Sequence, residues 1–187
     1  MKELIKRVVE ESIKLRKWLW EESQTIIKIS QEVLKTLQEG RKILLFGNGG
    51  SAADAQHIAA EMVGKFKCER NPFPALALTT NTSILTSISN DYSFEEVFAR
   101  QVTAVGESGD LCIGITTSGN SENVIRGILK AKELGMKTIA LTGRDGGKIK
   151  EVADISLIVP SFDTARIQEV HITVGHIICE IVEENLK

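Results

Sequence analysis

Ile43-Leu44-Leu45-Phe46-Gly47-Asn48-Gly49-Gly50-Ser51-Ala52 is the stretch on which the fold of this chain turns. A short apolar run enters a glycine-rich turn and leaves as an amphipathic segment, Ala52–Phe66, with apolar residues at helical spacing. The order is strand, tight loop, helix, and it recurs downstream. Ala75–Leu78 leads to helical Ser83–Ser89 and Phe94–Val105. Leu111–Ile115 leads through Thr116-Thr117-Ser118-Gly119-Asn120-Ser121 into a helix reaching Leu134. Lys137–Leu141 precedes a glycine-rich turn and a short helix, Lys148–Val152; Ile155–Val159 precedes a last helix, Thr164–Leu186. Five apolar strands joined by helices predict an α/β fold with a five-stranded, doubly wound parallel sheet covered on both faces.

Upstream, Leu4, Ile5, Val8, Ile13 and Leu19, then Ile26, Ile29, Val33 and Leu37, predict a long helical arm over Glu3–Glu39, broken near Glu22 and stopped at Gly40. Trp18 and Trp20 cannot both face one core, so part of the arm is expected to meet another subunit. The chain divides into an arm for oligomerisation, 1–40, and a sheet domain, 41–187.

Its 187 residues suffice for a core without disulfide or metal staples. Lys and Arg number 23 against 25 Asp and Glu and are spread along the chain, which argues against a nucleic-acid partner. Cys68, Cys112 and Cys179 form no CxxC pair and read as reduced thiols. Residues 1–15 are charged every few positions, unlike a signal peptide, and no run approaches the roughly 20 apolar residues that span a bilayer. These features predict a cytoplasmic protein with no membrane partner.

In such sheets ligands bind beyond the carboxyl ends of the strands. The loop Gly47–Ala52 fits G-x-G-x-x-A, a dinucleotide fingerprint, but that reading needs an acid at the end of the second strand. The strand ends instead in Thr79-Thr80-Asn81, and the nearest acid, Glu69, precedes it. Glycines serving only a tight turn are the plainer alternative. The loop Thr116–Ser121 holds five hydroxyl or amide side chains in six positions. Asn120 or Ser121 is placed to cap the helix that follows. The remainder, with N–H groups at a helix start, make a neutral cradle for a phosphate dianion.

Three histidines occur: His57, His171 and His176. His57 and Glu61, four apart, share a helix face about 6 Å apart along the axis. Spacing does not decide between a surface pair and a carboxylate base held beside a metal ligand. Gln168 and His176 lie eight apart, roughly 12 Å along the axis. They flank one small site or serve different sites in an oligomer. His171 is about 140° around from His176 and points elsewhere. The helix bearing all three is apolar nearly all round, which suits burial at a subunit interface.

The segments FGNGGSAADAQHIAAEMVGKF, SNDYSFEEVFARQ, GITTSGNSENVI, ALTGRDGGK and RIQEVHITVGH, in this order, resemble the sedoheptulose 7-phosphate isomerases (phosphoheptose isomerases) of the sugar isomerase (SIS) fold. The likeness runs from about Lys42 to the C-terminus; the arm resembles the family in length and helicity more than in sequence. The resemblance implies a homotetramer with active sites where subunits meet. It implies that Asn48, Gly49, Gly50, Ser51, Asn90, Asp91, Thr116, Thr117, Ser118 and Ser121 line a sugar phosphate. It also implies that His57, Glu61, Gln168 and His176 bind one Zn²⁺ per subunit, with Glu61 and Gln168 touching substrate. Thr116 stands where many members have Ser, and the hydroxyl is kept.

The implied reaction is conversion of sedoheptulose 7-phosphate to D-glycero-D-manno-heptose 7-phosphate, a heptose precursor for the lipopolysaccharide core. Glu61 is expected as the base at C1 and His176 as its partner acid, a pairing in tension with tight metal binding by the same two residues. The rival readings are an isomerase of a shorter sugar phosphate and a noncatalytic tetrameric adaptor. The adaptor reading predicts loss of His57, Glu61 or His176, and all three are present.

Overall fold

Side chains along the buried central strands point alternately to the two faces of the sheet, and the alternation sorts the core into two halves. The computed structural model describes residues 1–186. The elements run α1 (Lys2–Glu21), α2 (Ser23–Gln38), β1 (Ile43–Gly47), α3 (Gly50–Val63), β2 (Ala75–Ala77), α4 (Thr82–Asp91), α5 (Val97–Val105), β3 (Leu111–Thr116), α6 (Glu122–Glu133), β4 (Lys137–Gly143), α7 (Ile149–Val152), β5 (Ile155–Val159) and α8 (Thr164–Leu186). The strands form one parallel sheet in the order β2-β1-β3-β4-β5.

On one face Ile43, Leu45, Ile113, Ile115 and Leu141 pack with Val33 of α2, Ile58 and Met62 of α3, and Val170 and Val174 of α8. On the other, Leu44, Phe46, Cys112 and Ala140 meet Val97, Phe98, Ile128 and Ile149 from α5, α6 and α7. Phe46 and Phe98 stack with centroids 4.8 Å apart. Each fully buried side chain of this size contributes about 1.5–3 kcal/mol, which favours the three-layer arrangement over any with one sheet face bare. The expected doubly wound, five-stranded architecture is therefore present.

The arm breaks at Glu22 as expected, giving α1 and α2. Several boundaries differ from the sequence expectation, two of them by three residues. Phe94–Glu96 form a separate 3₁₀ turn ahead of α5. The helix after the glycine loop stops at Val63 rather than Phe66. There the Arg70 guanidinium takes the Glu61, Met62 and Gly64 carbonyls, and Glu183 takes the Phe66 amide. Tertiary partners replace the next helical turn.

The two tryptophans part company, Trp18 packing against the core and Trp20 remaining 82% exposed. Trp20 lines a groove of about 410 Å³ with Leu19, Ile26, Ile27, Ile177 and Ile181, between the α1–α2 turn and α8.

His171 faces inward on α8, fully buried. The Thr142 carbonyl accepts its Nε2 hydrogen at 3.1 Å, and Nδ1 is buried without a partner. Burial pushes its pKa down from 6.5 to about 4, the Thr142 bond opposing only in part. Between those two pH values the unfolded chain binds a proton that the folded chain does not, so stability falls as pH drops through that window. The stability gap between wild type and His171→Gln, in which other groups cancel, should shrink by about 3 kcal/mol from pH 7 to pH 4. Urea denaturation at the two pH values measures it; a constant gap would refute the neutral-histidine assignment.

Candidate active site

β1 and β3 lie side by side, but α3 leaves to one face of the sheet and α6 to the other. This is the topological switch point, where the first turns of two helices open onto one crevice. The glycine loop meets three separate demands there. A Cβ on Gly47 would lie 2.8 Å from the Ile115 carbonyl oxygen; Gly49 has φ +54°; and a Cβ on Gly50 would strike the Gln168 amide at 2.5 Å. Ser51 is buried at the start of α3.

Across the crevice, no side chain caps α6, although Ser121 occupies its N-cap position. That overturns the expected capping role of Asn120 or Ser121. The Ser121 hydroxyl instead bonds Thr116 Oγ1 at 2.9 Å, and Thr116 Oγ1 lies 3.5 Å from Ser118 Oγ. Asn120 donates to the Ser118 carbonyl and accepts from the Lys148 amide, tying the loop to the turn after β4. Thr117 and Ser118 are half-buried. First-turn N–H groups and a chain of hydroxyls remain for an anion.

That β4 turn forms the back wall of the cradle. A Cβ on Gly119, whose φ is +69°, would lie 2.1 Å from the Gly146 carbonyl oxygen, and Ile149 N–H donates to the Gly119 carbonyl. Asn123, to which the sequence reading gives no role, joins the two loops. Its side-chain amide and that of Asn48 exchange two hydrogen bonds, each 2.9 Å. No local spacing signals this pair, because its members are 75 residues apart.

Two turns along α3, His57 Nε2 lies 3.3 Å from Glu61 Oε1 and 2.9 Å from His176 Nε2 on α8. One ligand atom from each of the three lies within 4.8 Å of the others, so a single chain assembles a group able to hold a metal ion. Two imidazole nitrogens and a carboxylate match the donors that zinc accepts. The Gln168 amide lies against Gly50, at the loop end of α3. Asn90 and Asp91 are exposed at the end of α4 and bonded to each other, with no hydrogen bond to either loop among the described residues.

Asp54 is a residue that motif reading misses. Its Oδ2 is buried without a partner, and burial raises its pKa to about 6 against the opposing pull of His57. The available signal is helical spacing, since positions 54, 57 and 61 share one face of α3.

A SIS domain family model matches residues 9–143. A phosphoheptose isomerase from Aquifex aeolicus is 58% identical over 185 residues, covering 98% of this chain and 97% of that protein. The chain belongs to the phosphoheptose isomerase family of SIS domains. It is an isomerase. Another relative, the phosphoheptose isomerase of Clostridium acetobutylicum, is 52% identical over all of this chain and 96% of its own length. Solved phosphoheptose isomerases agree in shape: that of Neisseria gonorrhoeae has a TM-score of 0.93 at 45% identity over 98% of both chains. That of Francisella tularensis has 0.94 at 37% identity over 97% of both. No described helix of this SIS isomerase is long and apolar enough to cross a membrane.

The close approach at Gly119 gives a direct check on the cradle. Gly119→Ala should destabilise the enzyme by about 1–3 kcal/mol from backbone strain alone and raise KM for its sugar phosphate. Urea denaturation and steady-state kinetics measure the two effects; unchanged stability would show that the loop does not need its left-handed residue.

Proposed function

We propose that this enzyme interconverts sedoheptulose 7-phosphate and D-glycero-D-manno-heptose 7-phosphate through an enediolate, supplying heptose for the lipopolysaccharide core. The observation that carries the reading is the meeting of His57 and Glu61, on the helix that begins at the glycine loop, with His176 of α8. The reacting groups then lie on the order of 10 Å along α3 from the glycine loop, a span that suits a sugar lying along the first turns of the helix. The names of the relatives from Aquifex and Clostridium support the same class of substrate.

In this reading the phosphate sits among Thr116, Thr117, Ser118 and Ser121, against the open first turn of α6. Asn48, Gly49, Gly50 and Ser51 line the sugar, joined by Gln168 and by Asn90 and Asp91. Glu61 removes a proton from C1 of the ketose and the electron pair forms the enediolate double bond. His176 gives a proton to the carbonyl oxygen at C2 and recovers one from the C1 hydroxyl. Return of a proton to C2 completes the aldose, with no net change in atoms or electrons. His57, Glu61 and His176, with Gln168, would hold one Zn²⁺ per subunit, which when bound supplies Lewis-acid polarisation of the carbonyl.

The enzyme works as a cytoplasmic homotetramer in this reading. The groove beside Trp20 and Ile27 supports assembly through the arm, residues 1–40, while 41–187 form the isomerase domain.

Incubation with sedoheptulose 7-phosphate should yield the heptose 7-phosphate, detected by mass and NMR. Glu61→Gln should lower turnover about 10²- to 10⁴-fold while the protein remains folded; a rate within threefold of wild type would sink the base assignment. Ser118→Ala and Ser121→Ala should each weaken substrate binding by about 1–2 kcal/mol, as for a lost hydrogen bond to a charged group. If both keep the wild-type KM, the phosphate binds elsewhere.

A further inference from the structure

The connection between α3 and β2 carries none of the groups assigned above, yet it touches both helices that do. α3 ends at Val63, and its last carbonyls would be left without donors. Arg70 supplies them, donating to the carbonyls of Glu61 at 2.7 Å, Met62 at 2.9 Å and Gly64 at 3.1 Å. Its guanidinium lies over the Phe73 ring at 4.0 Å, and its Nε is 3.2 Å from Glu183 Oε1 on α8. Both side chains of that ion pair are almost wholly buried, at 2% and 3% exposure.

Glu183 has a second set of partners. Its carboxylate accepts from the backbone amides of Phe66 at 3.0 Å, Lys67 at 2.7 Å and Cys68 at 3.1 Å. Burial acts to raise its pKa, but these amide bonds outweigh burial and bring it down to about 2. The Phe66 ring so placed stacks on the His176 imidazole, with centroids 5.6 Å apart and planes 30° from parallel. His176 and Glu183 lie two turns apart on one side of α8.

We propose that the buried Arg70–Glu183 pair positions the metal-binding cluster, Arg70 holding Glu61 through its backbone and Glu183 seating Phe66 against the His176 ring. The inference rests on the metal-assisted reading given above. A buried ion pair is weak evidence of a stabilising role, because desolvation offsets much of its attraction. Here the pair links the end of α3 to α8, the two helices whose side chains must converge: Arg70 contacts the Glu61 carbonyl, and Glu183 reaches His176 through Phe66. Outer partners of metal ligands typically account for 10- to 100-fold in affinity or activity.

The test separates positioning from simple stability. Removing one charge endangers the fold, so Phe66→Leu, which leaves the ion pair intact, is measured beside Glu183→Gln. Zinc affinity is read by competition with a chromophoric chelator, and unfolding is followed on metal-free protein. Phe66→Leu should weaken zinc binding about tenfold or more and lower kcat at least as much. KM for the sugar phosphate should stay within twofold, and metal-free unfolding should be close to wild type. Glu183→Gln should show the same binding defect on top of a lower unfolding temperature. Wild-type zinc affinity and kcat in Phe66→Leu would overturn the proposal, as would a defect confined to unfolding temperature. If wild-type protein isomerises the sugar but takes up no zinc, the metal reading fails by itself, and kcat of Phe66→Leu decides the positioning role: a wild-type value overturns it.

Discussion

Close packing of α3 along α8 is the constraint on which the site depends. The two helices touch where Gly175 meets Ile58, and a Cβ at Gly175 would come within 2.6 Å of the Ile58 side chain. One turn either way in this register decides which groups face each other: Gly50 with Gln168 at the loop, and His57 with His176 two turns on. A larger residue at 175 would push the helices apart, and the imidazoles, 2.9 Å apart, would part with them. Well-packed interiors transmit such shifts rather than absorb them.

The crevice owes its position to a second constraint, the divergence of α3 and α6 from adjacent strands. Each helix begins beyond a strand end without a side-chain cap. Orphan N–H groups at helix starts are ordinarily satisfied by side chains, and their openness here is what makes the crevice receptive to an anion. The paired amides of Asn48 and Asn123 close it from below, while the turn after β4 fixes the hydroxyl loop from behind. The GRDGGK segment thus has a structural role. Its Gly146 and Gly147 leave room for Gly119, where any side chain would collide with backbone.

The candidate site mixes open and closed surroundings. His57 is half exposed and Glu61 about one-fifth exposed, whereas burial raises the pKa of Asp54, one turn back on α3, and lowers that of His171 on the inner side of α8. The same helix, α8, presents an apolar strip to the groove beside Trp20, so one element serves core, catalytic crevice and outer surface.

Local sequence determined much of this. The apolar run Ile43–Phe46 followed by GNGGSA specifies a buried strand, a turn only glycine can make, and a helix, because each is a short-range steric or periodic demand. Repetition of that unit specifies the parallel sheet. The spacing of His57 and Glu61 places them on one helix face without any knowledge of the fold. Spacing could not pair His57 with His176, 119 residues away, nor Asn48 with Asn123, because those meetings depend on where whole helices dock. Capping of α6 escapes local reading for a related reason: Ser121 has the right position, but Thr116 competes for its hydroxyl and wins. The end of α3 also belongs to tertiary structure. Helical periodicity continues to Phe66, yet two buried charges, Arg70 a few residues on and Glu183 from the far end of the chain, offer the backbone better partners than another turn of helix would.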